Sequence, residues 1–128
     1  MLLKDYQNDI IRTIQKYVDE GWITAFNFSV DYRTDYLGFI QGNLDFIDNS
    51  SLFFKEYIDL QGSPSKISYS FHYQDHHNNL IFRYDNAKHK PDLGYLHHKH
   101  INNEIIASTI PTLEQVLMEI IQNYLIKL

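Results

Sequence analysis

Residues 66–85 read KISYSFHYQDHHNNLIFRYD, and the fold turns on them. Ile67, Tyr69, Phe71 and Tyr73 alternate with Ser68, Ser70, His72 and Gln74, the period of two that a strand with one buried face requires. His76-His77-Asn78-Asn79 supplies turn chemistry, and Leu80–Asp85 returns as a second strand. Pairing Asp75 with Leu80 sets Tyr73 against Phe82 and Phe71 against Tyr84, an aromatic ladder on one side. The same register puts His72 beside Arg83 on the other. A hairpin of this kind makes a sheet the centre of the chain.

Upstream, Trp22, Phe26, Phe28, Val30 and Tyr32 alternate with Ile23, Ala25, Asn27, Ser29 and Asp31, again a strand with one buried face. Arg33-Thr34-Asp35 turns it. A further strand runs from Tyr36 to Ile47, with a bend or bulge expected near Gly38 and Gly42. Asp48-Asn49-Ser50-Ser51 is the next turn, and Leu52–Leu60 comes back. A three-residue loop there places Phe46 against Phe54 and Leu44 against Glu56. A two-residue loop shifts the partners by one and reverses the face, so the register stays open. In the first case Glu56 falls among Leu52, Phe54 and Ile58. A carboxylate in that position is either functional or reaches the sheet rim, and the rim is the preferred expectation. Gln61-Gly62-Ser63-Pro64-Ser65 breaks the sheet.

Helices flank these strands. Tyr6, Ile10, Ile14, Tyr17 and Val18 form a helical stripe that Leu3 extends, and Gly21 stands where a helix end wants a left-handed residue. At the other end Thr112 is an N-cap with Gln115 at the capping-box position. Leu113, Val116, Leu117, Ile120, Ile121 and Tyr124 then make a second stripe. His97–Ile101 is a short extended piece, and Ile105–Ala107 closes the sheet. The expectation is one domain over residues 1–128, of the α+β class, with an antiparallel sheet of about five strands packed against N- and C-terminal helices.

Composition agrees. The aromatic content of 15% suits a pleated, half-buried surface, and 128 residues bury a core without disulfide support. The absence of cysteine excludes disulfides, thiol catalysis and zinc–thiolate sites. The N-terminus is charged by Lys4, unlike a signal peptide, and no apolar run approaches the roughly 18 residues of a membrane span. A soluble, cytoplasmic protein without a membrane partner is expected. A net charge of -5 argues against indiscriminate duplex binding, which rests on many phosphate contacts.

Against that acidic background residues 80–100 are locally basic. His89, His97, His98 and His100 stand there with Arg83, Lys88, Lys90 and Lys99, against only Asp85 and Asp92. Asn86 to Leu96 is a loop long enough to carry function. Three readings are open. In the first, imidazoles transfer protons in RNA cleavage, one taking the 2′-hydroxyl proton and one protonating the 5′-oxygen. If 97–100 is extended, His98 and His100 share a face and form that pair. Arg83 and Lys99 stabilise the phosphorane, and Glu56 or His72 orients an imidazole. In the second, His98-x-His100 with His89 or His72 holds a metal, against the repulsion of Lys99 and Arg83. In the third, these are solvated loop histidines.

The runs KEYIDL (55–60), YSFHYQ (69–74), LIFRYDNAKH (80–89), HHKH (97–100) and PTLEQVLMEI (111–120) resemble the TumE-type toxins, over about residues 42–121. Lys88 stands where that family often has Pro, and Tyr95-Leu96 where many members have Phe-Pro. The resemblance implies a ribonuclease toxin encoded beside, and neutralised by, a DNA-binding antitoxin. The combined expectation is a metal-independent, cofactor-free endoribonuclease acting on mRNA. Arg83, His98, Lys99, His100 and Glu56 would carry the chemistry, and His72, Lys88, His89, Lys90 and His97 would contact RNA. Its partners would be RNA and the cognate antitoxin, with the C-terminal stripe a candidate homodimer contact. The alternatives are a noncatalytic module docking on a ribosome, a nucleic acid or the antitoxin, and a His-ligated metalloenzyme.

Overall fold

Tyr73 pairs with Phe82, Phe71 with Tyr84 and His72 with Arg83, the register expected from the hairpin sequence. A bulge before the turn makes Gln74, not Asp75, the partner of Leu80. The computed structural model describes residues 1–89 and 92–126. They form α1 (Leu3–Asp19), β1 (Ile23–Tyr32), β2 (Leu37–Phe46), β3 (Ser51–Asp59), β4 (Ser65–Gln74), β5 (Leu80–Asp85), β6 (His98–Ile101), β7 (Glu104–Ala107) and α2 (Leu113–Ile120), which a π-helical turn extends through Ile121–Leu125. The strands lie in chain order, each antiparallel to the next, in one seven-stranded sheet.

The class is α+β as expected, but the strand count is seven rather than about five. The two short extended pieces are complete strands. Asn102 and Asn103 join them with φ of 53° and 63°, the left-handed pair that a tight hairpin demands and asparagine tolerates.

Both helices cover one face. Leu3, Ile10 and Ile14 of α1 and Leu117 and Ile120 of α2 bury against Ile40, Leu44, Leu52, Phe54, Phe71, Tyr73 and Phe82. Each such side chain contributes roughly 1.5–3 kcal/mol when removed from water. Helix α1 closes on Gly21 (φ 86°), with the N–H of Trp22 on the Tyr17 carbonyl (3.0 Å) and that of Gly21 on Val18 (3.0 Å). Thr112 and Gln115 exchange both capping-box bonds at the start of α2. No helix among the described residues is long and apolar enough to cross a membrane.

Three local expectations change. A bulge after Ile23 turns that side chain into the core (2% exposed), while Phe26, on the edge strand, stays 43% exposed. No bulge falls at Gly38 or Gly42 of β2, which pair in register with Tyr32 and Phe28 on one side and with Ile58 and Phe54 on the other. These glycines serve close packing instead, since a Cβ on Gly42 would stand 2.5 Å from the Phe54 ring. Between β2 and β3 the chain turns on Asn49 (φ 67°), and Leu44 pairs with Leu52, Gly42 with Phe54 and Ile40 with Glu56. Neither expected register occurs, although the faces match the first. Glu56 does not reach the rim: it is 1% exposed, under the helices.

Candidate functional site

Among the described residues no helix covers the other face of the sheet, and strand alternation assembles the site there. Arg83 pairs with His100 and Asp85 with His98, so both imidazoles share a face with the guanidinium and the carboxylate. His89, in the loop after β5, folds back over them. Its ring centroid lies 4.3 Å from that of His98 and 5.5 Å from that of His100, and those two are 5.1 Å apart. One ligand-type atom from each of Asp85, His89, His98 and His100 falls within 4.8 Å of all the others.

The hydrogen bonds orient this group. His98 is wholly buried, and its Nδ1 lies 2.6 Å from the Asp85 carbonyl oxygen and 3.1 Å from Oδ1 of the same residue. A carbonyl only accepts, so Nδ1 carries the hydrogen, and in the neutral ring Nε2 keeps the lone pair. The Nε2 atoms of His98 and His100 are both buried without a hydrogen-bond partner among the described residues. His100 Nε2 stands 3.5 Å from Asp85 Oδ2, too far for a well-formed bond.

Asp85 ties the cluster to the sheet. Its Oδ1 accepts the Ala87 N–H (3.1 Å), and its Oδ2 accepts from Arg83 Nε (2.8 Å). Arg83 Nη1 in turn reaches His72 Nδ1 at 3.3 Å, and His72 Nε2 lies 3.1 Å from Gln74 Oε1. Because the guanidinium can only donate, His72 Nδ1 accepts and Nε2 donates to the amide oxygen. Burial pushes the His72 pKa below its ordinary value; the Gln74 bond opposes this, and the Arg83 charge adds to it. Burial likewise lowers that of His100, with Asp85 opposing and the charges of His98, His89 and Arg83 reinforcing.

Arg83 sits where two clefts meet. One, of about 470 Å³, runs across the open face past His72, Ser70, Lys55, Phe53, Asn43 and Gln41. The other, of about 370 Å³, contains Arg83, Asp85, Tyr57 and Phe39.

Of the residues singled out from the sequence, the fold brings together Arg83, His72, His89, His98 and His100. It separates Lys99 and Glu56 from them. Alternation along β6 sends Lys99 to the helix face, where its Nζ meets Glu119 at 2.9 Å. Glu56, also on the helix face, binds Lys66 at 2.5 Å and accepts from the Tyr6 hydroxyl at 2.7 Å. His97 stands apart against Tyr69, its Nδ1 3.1 Å from the hydroxyl. Lys88 is exposed beside His89 in a third cleft. Lys90 lies outside the described residues. Sequence reasoning passed over Asp85 as a site residue, although its spacing of two from Arg83 puts it on the same face.

Compared with curated proteins and with solved structures, the chain has no significant match. A family model described as Toxin TumE matches residues 10–126, which include every member of the cluster, and the chain therefore belongs to that toxin family.

Proposed function

We propose that this chain acts as an endoribonuclease on mRNA in the cytoplasm, as the toxin of a toxin–antitoxin pair. A partner antitoxin follows from the family; cleavage is our reading of the site. The observation that supports it is the convergence of His89, His98 and His100 with Arg83 beside an open groove.

Cleaving an RNA phosphodiester requires removal of the 2′-hydroxyl proton, protonation of the leaving 5′-oxygen and positive charge at the phosphorane. His100 and His89 are partly exposed where His98 is enclosed, so a metal-free reaction assigns the two proton transfers to them. Each is worth on the order of 10²–10⁴ in rate. His98 is enclosed and positions the others, which moves the acid/base pair from His98 and His100 to His89 and His100. Arg83 keeps guanidinium N–H groups for a phosphate oxygen. A metal-bound version of the same site is favoured by the two unpartnered Nε2 atoms.

The test is cleavage of a defined RNA by purified toxin. Arg83→Ala and His100→Ala should each lower the rate about 100-fold while leaving antitoxin binding intact. Variants as active and as toxic as the parent, at equal soluble level, would leave the noncatalytic docking module as the better account.

A further inference from the structure

We infer that His89, His98 and His100, with Asp85, form a binding site for one divalent transition-metal ion of the zinc class. The inference takes the same three imidazoles as the nuclease reading, and where they hold an ion it replaces the metal-free assignment of proton transfer to His89 and His100.

Buried polar nitrogens ordinarily find partners, because an unmet one forfeits its hydration with nothing in return. Here the two buried nitrogens belong to His98 and His100 of the same short strand, whose ring centroids lie 5.1 Å apart at a tilt of 51°. A third ring, His89, closes the open side at 4.3 Å from His98. Imidazole nitrogens with a carboxylate are the donor set that zinc takes, at bond lengths of roughly 2.0–2.1 Å. Tetrahedral ligand atoms at that distance lie roughly 3.3 Å apart, so the 4.8 Å spread closes by modest side-chain adjustment. His89, on a loop, is the member with freedom to make it.

The surrounding shell is arranged for a ligand. The bond from His98 Nδ1 to the Asp85 carbonyl (2.6 Å) fixes the tautomer that presents Nε2, the outer-shell device by which proteins orient ligating imidazoles. Two cations stood against a metal on sequence grounds. Lys99 is on the opposite face, bound to Glu119, and Arg83 is paired with Asp85 at 2.8 Å. Neither points an uncompensated charge at the three rings.

The test uses the full-length protein stripped with chelator and titrated with Zn²⁺ by calorimetry, and with Co²⁺ by visible absorption. One ion per chain is expected, with the strong Co²⁺ bands of a low-coordinate nitrogen/oxygen site. His89→Ala and His100→Ala should each weaken binding at least about tenfold. His77→Ala, in the exposed turn with His76, should change nothing. No stoichiometric binding, or binding equally tight in the His89 and His100 variants, would overturn the inference. Stoichiometric binding by a protein that cuts no RNA would uphold it and end the nuclease reading. Full-rate cleavage by stripped protein that takes up no ion would do the reverse.

Discussion

The Nδ1 of His98 lies 2.6 Å from the backbone oxygen of Asp85, on a ring with no exposed surface. That contact makes β5 the frame on which the β6 imidazoles are aimed. The Asp85 side chain extends the frame, holding Arg83 on one oxygen and the Ala87 N–H on the other.

Asp85→Asn keeps the shape and removes the charge. Arg83 then loses its carboxylate, with a loss of stability of about 1–3 kcal/mol, and the released guanidinium disorders the His72 side of the site. Urea denaturation reads the first effect. RNA cleavage should fall about tenfold or more; an unchanged rate in a folded variant would show that Arg83 needs no such support.

Glu56 tests the two faces against each other. Its carboxylate is buried under the helices with Lys66 and Tyr6, so its work is structural. Glu56→Gln should lower stability by about 1–3 kcal/mol and leave cleavage per folded molecule unchanged. Lys99→Met should behave alike, its partner being Glu119. A large drop in rate with intact stability, in either variant, would return that residue to the chemistry.

Why these two fall on the helix face, while His98 and His100 share the open one as expected, is a matter of register. Within one strand the period of two is certain, so a shared face for His98 and His100, and His72 beside Arg83, could be read from the chain. Which face a strand buries depends on its neighbours. Lys99 stands between two histidines in sequence, yet it faces Ile106 and Tyr84 across the sheet. Glu56 looked like a rim residue because a buried carboxylate needs distant partners, and Tyr6 and Lys66 come from other elements. His89 and Asp85 meet only through a loop closure that no periodicity encodes. The short strands β6 and β7 are legible as the extended pieces at 97–101 and 105–107, with the Asn102-Asn103 pair marking the turn between them, and only their length keeps them out of a count of about five.

Mild acid should loosen the fold through two histidines. Folding lowers the pKa of both His72 and His100, chiefly through burial. The unfolded chain therefore binds protons near the ordinary value of 6.5 that the folded chain resists, and stability rises with pH across that window. It is fully present above 6.5 and declines as pH falls below it. The check is the urea midpoint of chelator-treated protein at several pH values between neutrality and mild acid. His72→Asn should flatten part of the slope; a midpoint independent of pH there would contradict the burial of both rings.

The groove beside Arg83 makes a prediction about RNA that does not depend on cleavage. Phe53 is exposed on the open face, next to His72, with Lys55, Asn43 and Gln41 around it. An exposed ring flanked by amides and a cation suits an unpaired base, stacked on the ring, better than a duplex. Base–aromatic stacking contributes about 1–3 kcal/mol per base, so Phe53→Ala should weaken single-stranded RNA binding by roughly 5- to 150-fold. Lys55→Ala should reduce the salt dependence of binding by about one phosphate contact. Fluorescence anisotropy on a cleavage-deficient background such as Arg83→Ala reads both. If the Phe53 variant binds as the parent does, RNA takes another path over the sheet, and the second cleft, where Phe39 stacks on Tyr57 at 4.2 Å, becomes the surface to mutate next.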